Sequence, residues 1–300
     1  MFRLVRSAIL ALACIATLAG VMADPVAAQP PMAPGADPSE IALTPAQQQA
    51  RADKLAMAQK EQRRPGSVGG RVSMSAACPA AAQTLADPAL RALVVSPASG
   101  CNGYWGWVSI TPRRQEQAYW CGVATVQVVS NYVWRIASTS NKWTQKQITG
   151  WTQTTTAGTS GYRESYGLNQ ANAGSPYLPA NWTYAAMTSS QIAQGGSMWH
   201  SLLRTDINQY GMPQVVSVAP KDPGFGYFLE SWRNAAAQFA GHYIVLNGWT
   251  GIWDNTSTPI VNYADSAVGT YGTASQDPAF DMWQLILKTN VNKSGVYVGW

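Results

Sequence analysis

The stretch QEQAYWCGVAT, residues 115–125, carries the densest chemical signal in the sequence. Two aromatic residues precede a Cys-Gly step at Cys121 and Gly122, and the following run from Val123 to Trp134 contains neither Gly nor Pro. Its apolar residues alternate as in a strand, yet they also line one face of a helix, so the spacing leaves both open. In a helix, Cys121 would lie at the N-terminus, where the dipole and free N–H groups lower the pKa of a thiol.

The chain has four cysteines, and their positions single out Cys121. Cys14 belongs to a predicted signal peptide, which leaves three in the mature chain. Disulfides are usual in an oxidising compartment, so we expect Cys78 and Cys101, both at the edge of the aromatic-rich region, to be bonded. The closed loop would contribute about 3 kcal/mol through chain entropy. Cys121 is then the free thiol, which on count alone is either reactive or buried and inert.

These motifs resemble the papain-like cysteine peptidases. The shared order is Gln-x5-Cys-Gly, here from Gln115 to Gly122, then a Gly-His-aromatic strand and an Asp. The sequence YWCGVA, residues 119–124, is most similar to the secreted branch resembling the bacteriocin-processing, double-glycine peptidases, which often have Pro where Val123 stands. Proline at that position only presets φ for the start of a helix. The resemblance spans about Gln115 to Asp265 and implies an α+β fold, with a Cys-bearing helix packed on an antiparallel sheet that carries His and Asp.

A cysteine nucleophile needs a base, and the chain has only His200 and His242. His200 lies in the segment Ser197 to Tyr210, whose apolar spacing is typical of a helix that ends at Gly211. His242 opens the apolar run GHYIVLNG, residues 241–248, which predicts a buried strand. We therefore expect His242 to be the general base, with a satisfied core histidine as the alternative.

A third group should orient the imidazole, and the return strand Ile260 to Asp265 offers two candidates. A hairpin centred near residues 253 and 254 would put Asp265 opposite His242, with Cβ atoms about 5 Å apart. Asn262 is the rival, since papain-like enzymes use Asn or Asp here. A register slip of one residue would turn Asp265 to the wrong face.

The resemblance also implies an oxyanion-hole residue. Gln115 stands six residues before Cys121, the separation at which papain-like enzymes place this glutamine. Its side-chain amide and the Cys121 main-chain N–H would donate to the developing negative charge. Gln117 is the competing candidate.

The sequence divides into three segments. Arg3 and Arg6 precede an uncharged apolar stretch and small-residue cleavage patterns, which predicts a secretory signal peptide over residues 1–28. Residues 29–75 are low in complexity, with one helix expected over 46–64 after an N-cap at Thr44. They form either a pro-segment packed on the catalytic domain or a solvated linker. All 13 Trp and 13 Tyr lie after residue 103, so residues 76–300 are the expected papain-like catalytic domain.

Composition restricts the function further. Charged residues make up 12% of the chain and the net charge of +5 is diffuse, so nothing indicates nucleic-acid binding. This net charge is compatible with weak attraction to an anionic cell-wall surface. Neither a P-loop nor a Cys-x-x-Cys zinc pattern occurs, so we expect no cofactor and no metal.

Two classes of function fit these observations. The first is an exported cysteine peptidase that hydrolyses peptide or protein substrates with Cys121, His242, Asp265 and Gln115. The second is a catalytically inactive peptidase-like module that binds extracellular glycan or peptide, motivated by tryptophans in polar stretches: Trp105, Trp107, Trp143, Trp151 and Trp182. A peptidoglycan amide hydrolase or an acyl transferase would use the same four residues as the peptidase.

Overall fold

In the computed structural model, two short strands open the domain, helices follow between residues 121 and 205, and the remaining strands come after them. The structure describes residues 43–62, 98–99, 105–187, 195–218, 221–222, 227–232, 241–250, 260–267, 274–278 and 298–299. All of these belong to one compact unit, Pro38–Trp300. The predicted signal peptide, Cys14, Cys78 and Cys101 lie outside the described residues, so the disulfide stays a prediction.

The described residues contain five α-helices. They are α1 (Pro45–Gln62), α2 (Cys121–Val133), α3 (Gln145–Thr152), α4 (Gly161–Asn172) and α5 (Gly195–Thr205), the last continued by a π-helical turn over Asp206–Tyr210. The run that begins at Cys121 is therefore a helix, and it is buried on almost every side. A helix rich in valine has weak intrinsic propensity, so its packing against the rest of the domain decides the outcome. None of the helices described is long and apolar enough to cross a lipid bilayer.

Two of these helices, α3 and α4, lie in a segment rich in Gly, Ser, Thr and Asn, residues 138–196, whose composition does not favour a helix. Each begins at a hydroxyl N-cap. Thr144 accepts from Gln147 N and forms a capping box with it, and Ser160 accepts from Arg163 N. Such caps offset the poor helix propensity of the segment.

The strands form one seven-stranded antiparallel sheet and one separate two-stranded ribbon within the described residues. The central strand β6 (His242–Thr250) pairs with β2 (Trp105–Trp107), β3 (Gln214–Val218) and β7 (Ile260–Asp265). The outer strands are β1 (Ala98–Ser99), β8 (Ala274–Pro278) and β9 (Val298–Gly299), and the ribbon joins β4 (Lys221–Asp222) to β5 (Tyr227–Phe228). After residue 281, the described residues are those of β9 alone.

The sheet is covered on both faces. Val215 and Val245 pack with the valines of α2, whereas Val216 and Ile244 pack with α5. Because successive residues of a strand point to opposite faces, α2 and α5 lie on opposite sides of the sheet. The fold is α+β, with the cysteine-bearing helix against an antiparallel sheet, as expected from the sequence.

The N-terminal helix α1 packs against α5. Ala58 is fully buried in the core that α5 shares with the sheet, and Lys54 forms a buried ion pair with Asp206 at 2.9 Å. This helix therefore lies with the domain and not free in solvent. Whether it also acts as an inhibitory pro-segment stays a prediction.

Candidate active site

Cys121 is the first residue of α2, and its side chain is half-buried and not disulfide-bonded. The turn before it is closed by a hydrogen bond from Trp120 N to Gln117 O at 3.0 Å, and the helix begins with one from Ala124 N to Trp120 O at 2.8 Å. Burial alone would raise the pKa of the thiol. A hydrogen bond to His242, the charge of that residue, and main-chain N–H groups of Tyr243 and Gly122 outweigh burial, and the pKa is lowered overall.

His242 is the first residue of β6, and Asp265 is the last residue of β7. His242 Nε2 lies 2.6 Å from Asp265 Oδ1, and both side chains are buried. Burial would lower the pKa of His242, but the charge and hydrogen bond of Asp265, together with Cys121, raise it to about 10. Since Asp265 occupies Nε2, Nδ1 is the ring nitrogen left for Cys121.

The Asp265 carboxylate accepts four hydrogen bonds. Oδ1 accepts from His242 and from Ala267 N at 2.8 Å, and Oδ2 accepts from Trp232 Nε1 at 2.6 Å and Ser231 Oγ at 3.2 Å. Burial alone would raise the pKa of this carboxyl. The charge of His242 and the hydrogen-bond donors lower the pKa by more than burial raises it, so the pKa is below its usual value. The Trp232 ring also lies 5.0 Å from the imidazole, centroid to centroid, and is tilted by 59° to it. Ser231 and Trp232 were not among the residues predicted from the sequence, because no local motif marks them.

The hairpin of β6 and β7 differs in register from the predicted one. Asp265 pairs with Ile244 and not with His242. An offset of two residues keeps Asp265 on the face of the sheet shared by Ile244 and His242, because side chains alternate with a period of two. The carboxylate therefore reaches the imidazole as a diagonal neighbour.

A β-bulge makes this arrangement possible. Near the hairpin tip Thr250 pairs with Ile260, and that register, if continued, would put Asp265 opposite Val245 on the other face. The pairing shifts by one residue between Leu246 and Gly248. The extra residue on β6 thus returns Asp265 to the correct face.

The two rival residues lie elsewhere. Asn262 pairs with Gly248, six residues along β6 from His242, which is about 20 Å at the rise of a strand. His200 lies in α5, edge-on to the Trp249 ring at 5.5 Å, in the core on the opposite side of the sheet from α2. Burial, aided by Arg204, lowers the pKa of His200 to about 3, so it is neutral at physiological pH.

Gln115 forms hydrogen bonds both to the strand end that carries Asp265 and to the turn that precedes Cys121. Its main-chain N–H donates to Ser266 O at 2.9 Å, and its Oε1 accepts from Ser266 Oγ at 3.2 Å, next to Asp265. Its Nε2 donates to the carbonyls of Gln117 at 3.0 Å and Ala118 at 2.9 Å, in the turn before Cys121. The Gln117 side chain is exposed and has no hydrogen bond to this network among those described.

The tryptophans considered as sugar-stacking residues have different environments. Trp143 and Trp151 pack edge to face at 5.3 Å, and Trp182 is buried. Trp107 is 43% exposed, and the side chain of Trp105 lies outside the described part of the chain. No three His, Cys, Asp or Glu side chains of the described residues are grouped closely enough to hold a metal ion.

An α+β domain in which a cysteine at a helix N-terminus faces a His-Asp pair on an antiparallel sheet defines the papain-like class of cysteine peptidases. The sequence profile of the Peptidase_C39 like family matches residues 108–285, and the chain belongs to that family. This confirms the resemblance inferred from the motifs. The match includes Cys121, His242, Asp265 and Gln115. No curated protein matches the chain in sequence.

Proposed function

We propose that this protein is an exported cysteine peptidase in which Cys121, His242 and Asp265 act together. The observation that carries the proposal is the continuous contact from Cys121 through His242 to Asp265, closed by the 2.6 Å bond between Nε2 and Oδ1. Within the family, this geometry favours an active member over an inactive one, because an inactive scaffold has no need of a paired thiol and imidazole.

The reaction follows from the protonation states. The lowered pKa of Cys121 and the raised pKa of His242 favour a thiolate beside an imidazolium. The sulfur attacks the carbonyl carbon of the scissile bond, and His242 then gives its Nδ1 proton to the leaving amine. Water, deprotonated by His242, attacks the thioester, releases the acid product and restores the pair. Asp265 holds the ring and stabilises its charged form.

The oxyanion would be stabilised by the main-chain N–H of Cys121, which as the first helical residue has no intrahelical acceptor. Gln115 supplies the second donor. Because its Nε2 already donates to Gln117 O and Ala118 O, a substrate must take over one of these contacts. Loss of one oxyanion donor typically costs about 100- to 1000-fold in rate.

The substrate class is a peptide or protein, which family membership supports. Export rests on the predicted signal peptide, and the Cys78–Cys101 disulfide would suit the same compartment. A cell-wall surface is the suggested environment, where a diffuse net charge of +5 gives weak attraction to anionic polymers.

The test is a peptide-library digest of the mature protein beside its Cys121→Ala variant, with purified peptidoglycan as a parallel substrate. We expect peptide cleavage by the wild-type protein and none by the variant, which should fold because the change is small. Release of wall peptides alone would indicate a peptidoglycan amide hydrolase. Equal digestion by both proteins, or glycan binding without covalent labelling of Cys121, would contradict the proposal.

A further inference from the structure

Glu164 is a buried carboxyl group beside the nucleophile, and the mechanism above does not use it. It lies in the first turn of α4 and is fully buried. Its Oε1 is 2.6 Å from Thr125 Oγ1, one turn along α2 from Cys121. Its Oε2 is buried without a hydrogen-bond partner. The same oxygen lies 2.5 Å from the point where a Cβ on Gly122 would be.

The two short contacts of the Thr125 hydroxyl indicate the protonation state of the Glu164 carboxyl. Thr125 Oγ1 lies 2.7 Å from Gly122 O as well as 2.6 Å from Glu164 Oε1. A hydroxyl has one hydrogen, so it can donate to only one of these two oxygens. Both contacts are hydrogen bonds if Thr125 donates to Gly122 and Glu164, as the acid, donates to Thr125. An ionised Glu164 would instead leave a bare anionic oxygen buried at Oε2, which is costly.

We propose that Glu164 is a positioning residue for Cys121, acting as a neutral carboxylic acid that clamps Gly122 and the first turn of α2 through Thr125. The proposal rests on the proposed function only in taking Cys121 as the nucleophile. Gly122 matters because its main-chain N–H donates to the Cys121 sulfur. A clamp on that residue keeps the donor aimed at the thiolate. Glycine is needed there because Glu164 and Thr159 occupy the space of a side chain.

The neighbouring groups agree with a neutral acid. Burial raises the pKa of Glu164 well above its usual value, a hydrogen bond donated by Thr125 to the carboxylate would lower it, and the Cys121 thiolate raises it again. The elements packed around Glu164 carry other titratable groups. On neighbouring elements these are Tyr132 of α2, Lys146 of α3, and His242 and Tyr243 of β6. On α4 itself they are Tyr162, Arg163 and Tyr166. None of them contributes to the shift. The Tyr243 hydroxyl instead donates to Thr159 O at 3.1 Å.

The experiment compares Glu164→Gln with Glu164→Leu, and Glu116→Gln serves as a control at an exposed carboxylate. The rate of Cys121 alkylation by iodoacetamide is followed against pH, beside kcat/KM on a peptide substrate. Glutamine copies the neutral acid. The Glu164→Gln variant should therefore match the wild type both in kcat/KM and in the acid limb of its alkylation profile, the pH range over which the Cys121 thiolate forms. Leucine removes the clamp. The acid limb of the alkylation profile should therefore move to higher pH by about half to one unit, and kcat/KM should fall about ten- to a hundredfold. Thr125→Val should behave like Glu164→Leu, and covers the case in which that variant does not fold.

Each other outcome overturns the inference. A fall of the acid limb in Glu164→Gln would mean that an anion had been removed, so the carboxyl is ionised in the wild type. Unchanged profiles in folded Glu164→Leu and Thr125→Val would mean that no clamp exists. Failure of the proposed function looks different, because the wild-type acid limb would then lie at the pKa of an ordinary thiol.

Discussion

Asp265 receives four hydrogen bonds, and all four partners act as donors. Asparagine could still accept a hydrogen bond from the imidazole, so that contact alone would suggest a mild effect for Asp265→Asn. The Trp232 indole changes that expectation, since it can only donate. An amide nitrogen facing it would put donor against donor in a buried site.

We therefore predict that Asp265→Asn lowers the free energy of unfolding by about 1–3 kcal/mol. Trp232→Phe in the same chain should recover part of this loss, because it removes the opposing donor. Urea unfolding of both single variants and the double variant measures the coupling. Strictly additive losses would show that the indole does not oppose the amide.

A second prediction concerns the alkaline limit of activity. The imidazolium persists up to the His242 pKa of about 10, and the carboxylate charge is a main cause of that rise. The pH profile of kcat/KM should thus be bell-shaped, bounded below by thiolate formation and above by loss of the imidazolium. Asp265→Asn should move the alkaline limb to lower pH. An alkaline limb that does not move would separate Asp265 from the charge of the imidazole.

At the scale of elements, the entry into α2 and the β6–β7 hairpin decide the site. Gly122 marks a close approach between α2 and α4. The space for a Cβ at Gly122 is taken by Glu164 Oε2 at 2.5 Å and Thr159 Oγ1 at 2.7 Å, whereas nothing lies within 4 Å of a Cβ at Gly150 in α3. The two positions form a matched pair for substitution.

Gly122→Ala should destabilise the domain by about 1–3 kcal/mol, because the added methyl forces the buried contacts apart. Gly150→Ala should instead stabilise it by about 0.5–1 kcal/mol, since alanine favours an exposed helical position. Thermal and urea unfolding measure both changes. If Gly122→Ala were as stable as Gly150→Ala, the close approach of Glu164 to α2 would be wrong.

The sequence predicted some of these elements and not others, for physical reasons. Cys121, its glycine and the strand of His242 form local motifs, so they could be read directly. The helix–strand ambiguity after Gly122 is resolved only by burial on both sides. The bulge between residues 246 and 248 depends on pairing with β2 and β7, and Trp232 and Glu164 reach the site from distant segments. The caps Thr144 and Ser160 were readable signals for α3 and α4 that the composition of the segment obscured.

For the whole molecule, α1 is the element whose role the fold restricts most. It packs on α5, across the sheet from the helix that carries Cys121. Its Lys54 pairs with Asp206 and lies over the Trp182 ring at 3.8 Å from the centroid. Burial lowers the pKa of this lysine to about 8, despite the opposing effect of Asp206.

Lys54→Ala should cost about 3–5 kcal/mol, because it leaves Asp206 buried without its counter-charge. Adding Asp206→Asn should recover part of the loss, and Lys60→Ala, at an exposed position of the same helix, should change stability by less than about 0.5 kcal/mol. The measurement is urea unfolding at neutral pH. Equal effects of Lys54→Ala and Lys60→Ala would contradict the buried pair. An increase in kcat/KM on weakening this contact would indicate an inhibitory segment.

The central claim is that Cys121 is a thiolate held by His242. The most direct measurement is the ultraviolet absorbance of the thiolate against pH, taken as the difference between the wild-type protein and Cys121→Ala. We predict absorbance already present at neutral pH, with a midpoint below that of an ordinary thiol at about 8.5. In His242→Ala the midpoint should rise to the ordinary value or above. A wild-type midpoint near that of a free thiol, unchanged by the loss of His242, would contradict the account.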